Sequence, residues 1–157
     1  MAMILHLEKI LTAPLALPLR ADVALRSFRP GDLAGWLQLR NDAMGDLVPV
    51  VRPWTADDFA RHMLAAAWWS NDCTQLACVD DRVVGSLTLA KRGSLVVLHW
   101  LVVDRSWRRK GVGRVLVEQA EQIAWQRGVR RLGVETHGHW HPAVEFWQRL
   151  GYLRPGT

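Results

Sequence analysis

The chain has 157 residues, of which 50% are hydrophobic and 22% charged, with a formal net charge of +5. That size fits a single domain able to bury a core without disulfide or metal staples, and the composition excludes a fibre or a disordered chain. The charge is local: residues 1–99 carry 10 basic and 10 acidic side chains, whereas residues 104–114 set Arg105, Arg108, Arg109, Lys110 and Arg114 against Asp104 alone. A nucleic-acid or membrane-surface partner is therefore not expected, because a cationic patch this short suits a phosphate-bearing small molecule better than a duplex.

Residues 1–20 read as an N-terminal appendage, with a short strand or helix at residues 3–11 and then a connector broken by Pro14 and Pro18. Glu8 and Lys9 interrupt its apolar run, which argues against a signal peptide. The domain proper is expected over residues 21–157. Residues 23–28 alternate as a strand does, and Asp32 is the expected N-cap of a helix to about Asn41. Residues 41–54, with Gly45, Pro49 and Pro53, read as a loop carrying Asp42 and Asp46. Thr55 then caps a helix expected to run to about Trp69. Cys73 and Cys78 are too few for a disulfide framework and poorly spaced for zinc, so a reduced, cytoplasmic protein is expected. Residues 75–79 and 83–91 form a hairpin.

Residues 95–103 are apolar except for His99, as in a buried central strand. A helix from about Gly113 to Arg127 places Leu116, Ala120, Ile123 and Ala124 on one stripe. A strand over residues 131–135 and a helix from Pro142 to Leu150 close the pattern. No run of 18 apolar residues occurs, so no membrane helix is expected. A strand–helix–strand unit in the second half makes the fold α/β with part of its sheet parallel.

Between the apolar strand and the long helix stands Arg108-Arg109-Lys110-Gly111-Val112-Gly113-Arg114. Backbone N–H groups at such a strand-to-helix turn form an anion nest, aided by the positive end of the helix dipole. Gly111 and Gly113 allow close approach of a ligand to the backbone. A P-loop needs Gly-Lys-Ser/Thr, and a Rossmann turn needs a third glycine where Leu116 stands, so both are excluded.

These residues resemble the core motif [RQ]-x-x-G-x-[GA] of the GCN5-related N-acetyltransferase (GNAT) superfamily. A second family signature, A-x-x-F-Y-x-x-x-G-F, is matched by Ala143, Phe146, Trp147, Gly151 and Tyr152. The resemblance covers residues 23–152. It implies a GNAT fold, in which a mixed central sheet with a splayed pair of parallel strands is flanked by helices. It also implies acetyl-CoA as cosubstrate with no metal, and a small-molecule or peptide amine as acceptor. By the same resemblance, residues 109–114 (Arg109, Lys110, Gly111, Val112, Gly113 and Arg114), with Arg108, would hold the pyrophosphate. Leu101, Val102 and Val103 would pair with the pantetheine arm, and Trp140, Phe146 and Trp147 would line the slot.

Two residues are candidates for the base. Glu135 ends the strand beside the slot and matches a catalytic glutamate of family members that acetylate protein N-termini; its other reading is a surface carboxylate paired with Arg130 or Arg131. His99 is either a base or acceptor-orienting group, or a core histidine bonded to a backbone carbonyl. The chain departs from the family at Trp147, where a tyrosine usually protonates the CoA thiolate, and at Trp140, where an asparagine usually stands. Trp147 therefore keeps a second reading open, a catalytically weak CoA-binding or sensing module. His137, His139 and His141 are expected around the acceptor mouth rather than as a metal site. The family's C-terminal strands are shortened or missing here, so the N-terminal segment or a partner chain, as in a homodimer, is expected to complete the sheet edge.

Overall fold

A computed structural model describes residues 4–16, 20–47, 52–138 and 140–156. Its elements in chain order are β1 (Ile4–Ile10), β2 (Ala24–Ser27), α1 (Leu33–Leu47), α2 (Ala56–Phe59), β3 (Thr74–Val79), β4 (Arg82–Arg92), β5 (Leu95–Val103), α3 (Val112–Gln126), β6 (Arg131–His137) and α4 (His141–Arg149). They build one six-stranded sheet in the order β1-β6-β5-β4-β3-β2. Every neighbouring pair is antiparallel except β5–β6, the two strands joined through α3.

The apolar stripe of α3 explains one layer. Leu116, Val117, Ala120 and Ala124 are buried with Leu87, Leu98, Leu132 and Val134 of the sheet. Close approach is possible because β4 carries Gly85 there; a Cβ on it would stand 2.9 Å from Val112 and 3.0 Å from Leu116. The opposite face is covered by α1 and α2, where Trp36, Phe59 and Met63 pack with Phe28 and Leu76. The buried indole N–H of Trp36 donates to Ser86 Oγ at 3.0 Å, which satisfies both polar groups.

β1 occupies the edge beside β6, with Ile4 opposite His137 and Ile10 opposite Arg131. Leu153, beyond α4, bridges Glu8 from the other side of β1. Leu7 thereby enters the main core and is 1% exposed.

Four local expectations change. Asp32 is not an N-cap: it lies inside a 3-10 turn leading into α1, where it accepts from the Arg29 N–H and pairs bidentately with Arg26. The segment read as a loop after Asn41 continues as helix to Leu47, because Leu39 and Ala43 extend the apolar stripe onto Val102. The Asn41 carboxamide holds the returning chain by accepting from Trp54 N–H at 2.8 Å and donating to Trp54 O at 3.0 Å.

The Thr55 cap forms, with reciprocal bonds to Asp58. However, α2 widens into a π-turn at Ala60–Leu64 and does not reach Trp69. Trp68 and Trp69 both pack inward, and adjacent helical residues would point about 100° apart. The strand expected over residues 131–135 runs on to His137, while His141 already belongs to α4, so these two histidines stand on different elements. His139 lies outside the described residues, as do Pro49 and residues 17–19. Among the described residues no helix is long and apolar enough to cross a membrane, and no cluster of three metal-ligating side chains forms.

Candidate active site

β5 is irregular where the ligand slot would open. Ser86 of β4 pairs with Val102 and Thr88 with His99, so three residues of β4 span four of β5. The extra residue is a bulge at Trp100, which adopts φ 57°. The bulge turns two consecutive side chains, His99 and Trp100, toward the α1–α2 side, with ring centroids 4.3 Å apart. The parallel β5–β6 register covers Val96, Val97 and Leu98 against Leu132, Gly133 and Val134 and then ends. From His99 and Glu135 onward the two strands separate.

At the wide end of this opening, β5 leads through a 3-10 turn (Arg105–Trp107) into α3. Arg109 has φ 62° and Gly111, the α3 N-cap, has φ 80°. Left-handed residues at this turn aim successive N–H groups at one point in front of the helix. Gly113 lies under Phe146, whose ring carbons would stand 3.3 and 3.4 Å from an added Cβ. The turn is braced from outside: Arg20 Nη1 donates to Lys110 O at 2.6 Å, while the same guanidinium pairs with Asp22. Arg108 Nε donates to Val103 O at 3.1 Å, which takes up one backbone acceptor of the segment expected to pair with a pantetheine arm. Arg114 pairs with Glu118 on the exposed side of α3, and Lys110 stacks its ammonium on Trp107, 5.0 Å from the ring centroid.

On the α1–α2 side of the bulge lies a cavity of about 530 Å³, walled by Trp54, His62, Trp68, Arg92, His99 and Trp100. Trp54 stacks on His62 at 5.2 Å and meets Trp100 edge-on at 4.8 Å. Behind these rings Arg40, 3% exposed, places its guanidinium 4.4 Å from the Trp54 centroid and 5.2 Å from that of Trp100. Burial lowers the Arg40 pKa, and the aromatic faces are its compensation. His99 is pushed down to about 4 by burial and by the nearby Arg92 charge, so its imidazole is neutral at physiological pH. Glu135 faces Arg92 at 3.7 Å. Its expected partners are engaged elsewhere: Arg131 pairs with Glu8 and Arg130 stacks on Trp125.

The profile of the acetyltransferase (GNAT) family matches residues 33–152. This chain belongs to that family. Relatives agree with the assignment: an uncharacterized N-acetyltransferase of Methanocaldococcus jannaschii is 31% identical over 85 residues, 52% of this chain and 31% of that protein. A GCN5-related N-acetyltransferase from Sphaerobacter thermophilus superposes with TM-score 0.78 at 20% identity, covering 98% of this chain and 52% of that one. The ribosomal-protein-S18-alanine N-acetyltransferase of Escherichia coli gives 0.65 at 19% identity, over 82% and 76% of the two chains. The chain thus spans about a third to a half of the length of the first two.

Within the GNAT frame, the remaining predicted residues divide between walls and core. Val102 is buried toward α1, whereas Leu101 and Val103 pack toward α3. Val112 is buried under Gly85. Trp140 is the N-cap of α4, its ring 4.3 Å from that of His137. Trp147 is 6% exposed and sits edge-on between Phe146 and Tyr152. Tyr152, fully buried, donates to Glu121 at 2.7 Å, and its pKa is raised by burial and by that carboxylate. Asp42 lines a separate hollow with Asp104, Arg105 and Arg108, away from the aromatic cavity.

Sequence reasoning missed three arginines. Arg20 falls in the segment that reads as a connector, Arg40 follows Leu33, Trp36 and Leu37 at helical spacing, and Arg92 stands beside Gly93 at a turn. Only Arg40 carried a usable signal, an arginine on the buried stripe of Leu33, Trp36 and Leu37.

Proposed function

We propose that the protein transfers an acetyl group from acetyl-CoA to a primary amine by direct attack within a ternary complex. The observation that carries this reading is the left-handed turn at Arg109 and Gly111, opening α3 at the wide end of the splayed β5–β6 pair. The residues present suit the cosubstrate: an N–H nest for a pyrophosphate, glycine where a Cβ would strike Phe146, and a cationic rim. The bulge at Trp100 supports a polarising role for the Leu101 N–H, because a donor there can favour charge building on a thioester oxygen.

Glu135 is the proposed acceptor of the ammonium proton, acting directly or through water. Neutral His99 is the proposed orienting group for the amine. An indole N–H is no acid at neutral pH, and the Tyr152 hydroxyl is committed to Glu121. The thiolate therefore takes its proton from the attacking nitrogen, which must shed it to become an amide. The acceptor is a small-molecule or peptide amine; the Escherichia coli relative acts on a ribosomal-protein alanine.

The second reading, a CoA-binding or sensing module, is favoured by the buried Trp147 in place of an acid. Measuring free thiol released from acetyl-CoA with a panel of amines, alongside CoA binding by calorimetry, separates the two. Amine-dependent thiol release supports the transferase, and tight binding without release supports the module.

A further inference from the structure

Resting on that transferase reading, the geometry points to a free α-amino acid with a flat, apolar side chain as the acceptor. An ion pair lies at the splayed strands. Arg92 and Glu135 face each other at 3.7 Å, too far for a hydrogen bond, and both side chains are substantially solvent-accessible. A loose cation–carboxylate pair of this kind can open to take a ligand carrying the complementary pair, a carboxylate for Arg92 and an ammonium for Glu135. The α-amino acid head group has those two charges on one carbon. A guanidinium fork also matches a carboxylate in bidentate geometry.

Arg92 joins this pair to the aromatic cavity, which it lines with Trp54, His62, Trp68, His99 and Trp100. Indole and imidazole walls suit a flat apolar group. They could also form a box for a cationic side chain, but that role is already filled: the Arg40 guanidinium lies against both Trp54 and Trp100. Lys91 stands at the rim as well. A second positive charge on the ligand would meet Arg40, Lys91 and Arg92, so polyamines and lysine-like acceptors are disfavoured.

The reaction balances without any further reagent. The ammonium gives one proton to Glu135, the nitrogen forms the N–C bond to the acetyl carbonyl, and the C–S bond breaks. The second nitrogen proton passes to the thiolate, leaving N-acetyl amino acid and free CoA thiol, with the Glu135 proton released to water.

The test measures binding and turnover separately on the full chain saturated with CoA or acetyl-CoA. Calorimetry compares L-phenylalanine with phenethylamine, which lacks the carboxylate, and with L-phenylalaninamide, which neutralises it. The expected result is binding of phenylalanine tighter by about 10- to 100-fold, as for one charge-assisted contact, and loss of that preference in Arg92→Ala with partial return in Arg92→Lys. Equal affinities, a preference that survives Arg92→Ala, or no binding of phenylalanine overturns the proposal. Thiol release with the same ligands tests the transferase reading on its own. A carboxylate preference without release removes that reading and leaves the recognition standing; release from amines irrespective of carboxylate does the reverse.

Discussion

The Tyr152 hydroxyl donates to the Glu121 carboxylate over 2.7 Å inside the core. Lys9 of β1 closes on the same carboxylate at 3.0 Å, with its ammonium 5.6 Å from the Tyr152 ring centroid. One buried charge on α3 thus ties the first strand to the segment after α4. Tyrosine stands at the final aromatic position of the family signature here for a structural reason, as one of two partners to a carboxylate that is 2% exposed.

Removing either partner strands that charge. Tyr152→Phe is expected to cost about 1.5–3 kcal/mol, the range for a hydrogen bond to a charged group. Lys9→Met is expected to cost about 2–4 kcal/mol, somewhat below a fully buried pair because the lysine is partly exposed. Urea unfolding with an unchanged m-value reads both. If Tyr152 takes no part in protonating the thiolate, its phenylalanine variant keeps kcat within about twofold under conditions where it is folded.

The phosphate turn predicts a different pattern. Gly111→Ala places a Cβ at φ +80°, 3.2 Å from Arg20 Nη1. The left-handed conformation alone costs about 1–2 kcal/mol, and CoA affinity should fall with it. Gly113→Ala is helical, so it gains about 0.5–1 kcal/mol of helix preference while pushing the Phe146 ring. Its stability should stay near that of the parent while CoA binding weakens. Thermal melts and CoA titration on both variants separate backbone strain from blocked approach.

Arg20 fixes the carbonyl of Lys110 from outside the nest. Arg20→Ala should raise the KM for acetyl-CoA about three- to tenfold, the value of one exposed hydrogen bond to a charged donor. The KM for the acceptor amine should not move. Equal changes in both constants would mean that the arginine acts on the fold and not on the turn.

His99 sets an acid-side dependence of stability. The unfolded imidazole titrates near 6.5 and the native one at about 4, so between these values the unfolded chain binds the extra proton. The stability present above pH 6.5 is lost as pH falls toward 4, by up to about 3 kcal/mol. His99→Gln should flatten that interval of the stability profile. His62, also at the cavity, and Arg92 remain in the variant, so any slope left belongs to other groups.

The elements that carry the site were legible because their signals are local. An apolar run interrupted only at His99, followed by Gly111 and Gly113 and an amphipathic stripe, specifies strand, turn and helix without reference to anything distant. The family resemblance implies a bulge that splays this strand, but its position at Trp100 was not legible in the residues. Its sequence, His-Trp-Leu, reads as ordinary strand, and the extra residue exists only in the register against Ser86 and Thr88. The left-handed Arg109 likewise has no glycine or asparagine to announce it. The π-turn at Ala60–Leu64 was hidden for a related reason: helix propensity favours its residues, and none of them marks the widening. Arg92 could be identified as a turn residue from sequence, but its position opposite Glu135 depends on β6 lying beside β5.

The edge position of β1 has a bearing on how the chain reaches this fold. Lys9 and Glu121 are 112 positions apart, and the partner strand of β1 is made later still. β1 must therefore wait, without its partner strand, until β6 has been made. Closing so large a loop is slow because its entropy is lost before any contact repays it. A late event of folding is then expected to be the docking of β1 on β6, and until it happens Leu7 and the β6 edge are open to association with another chain.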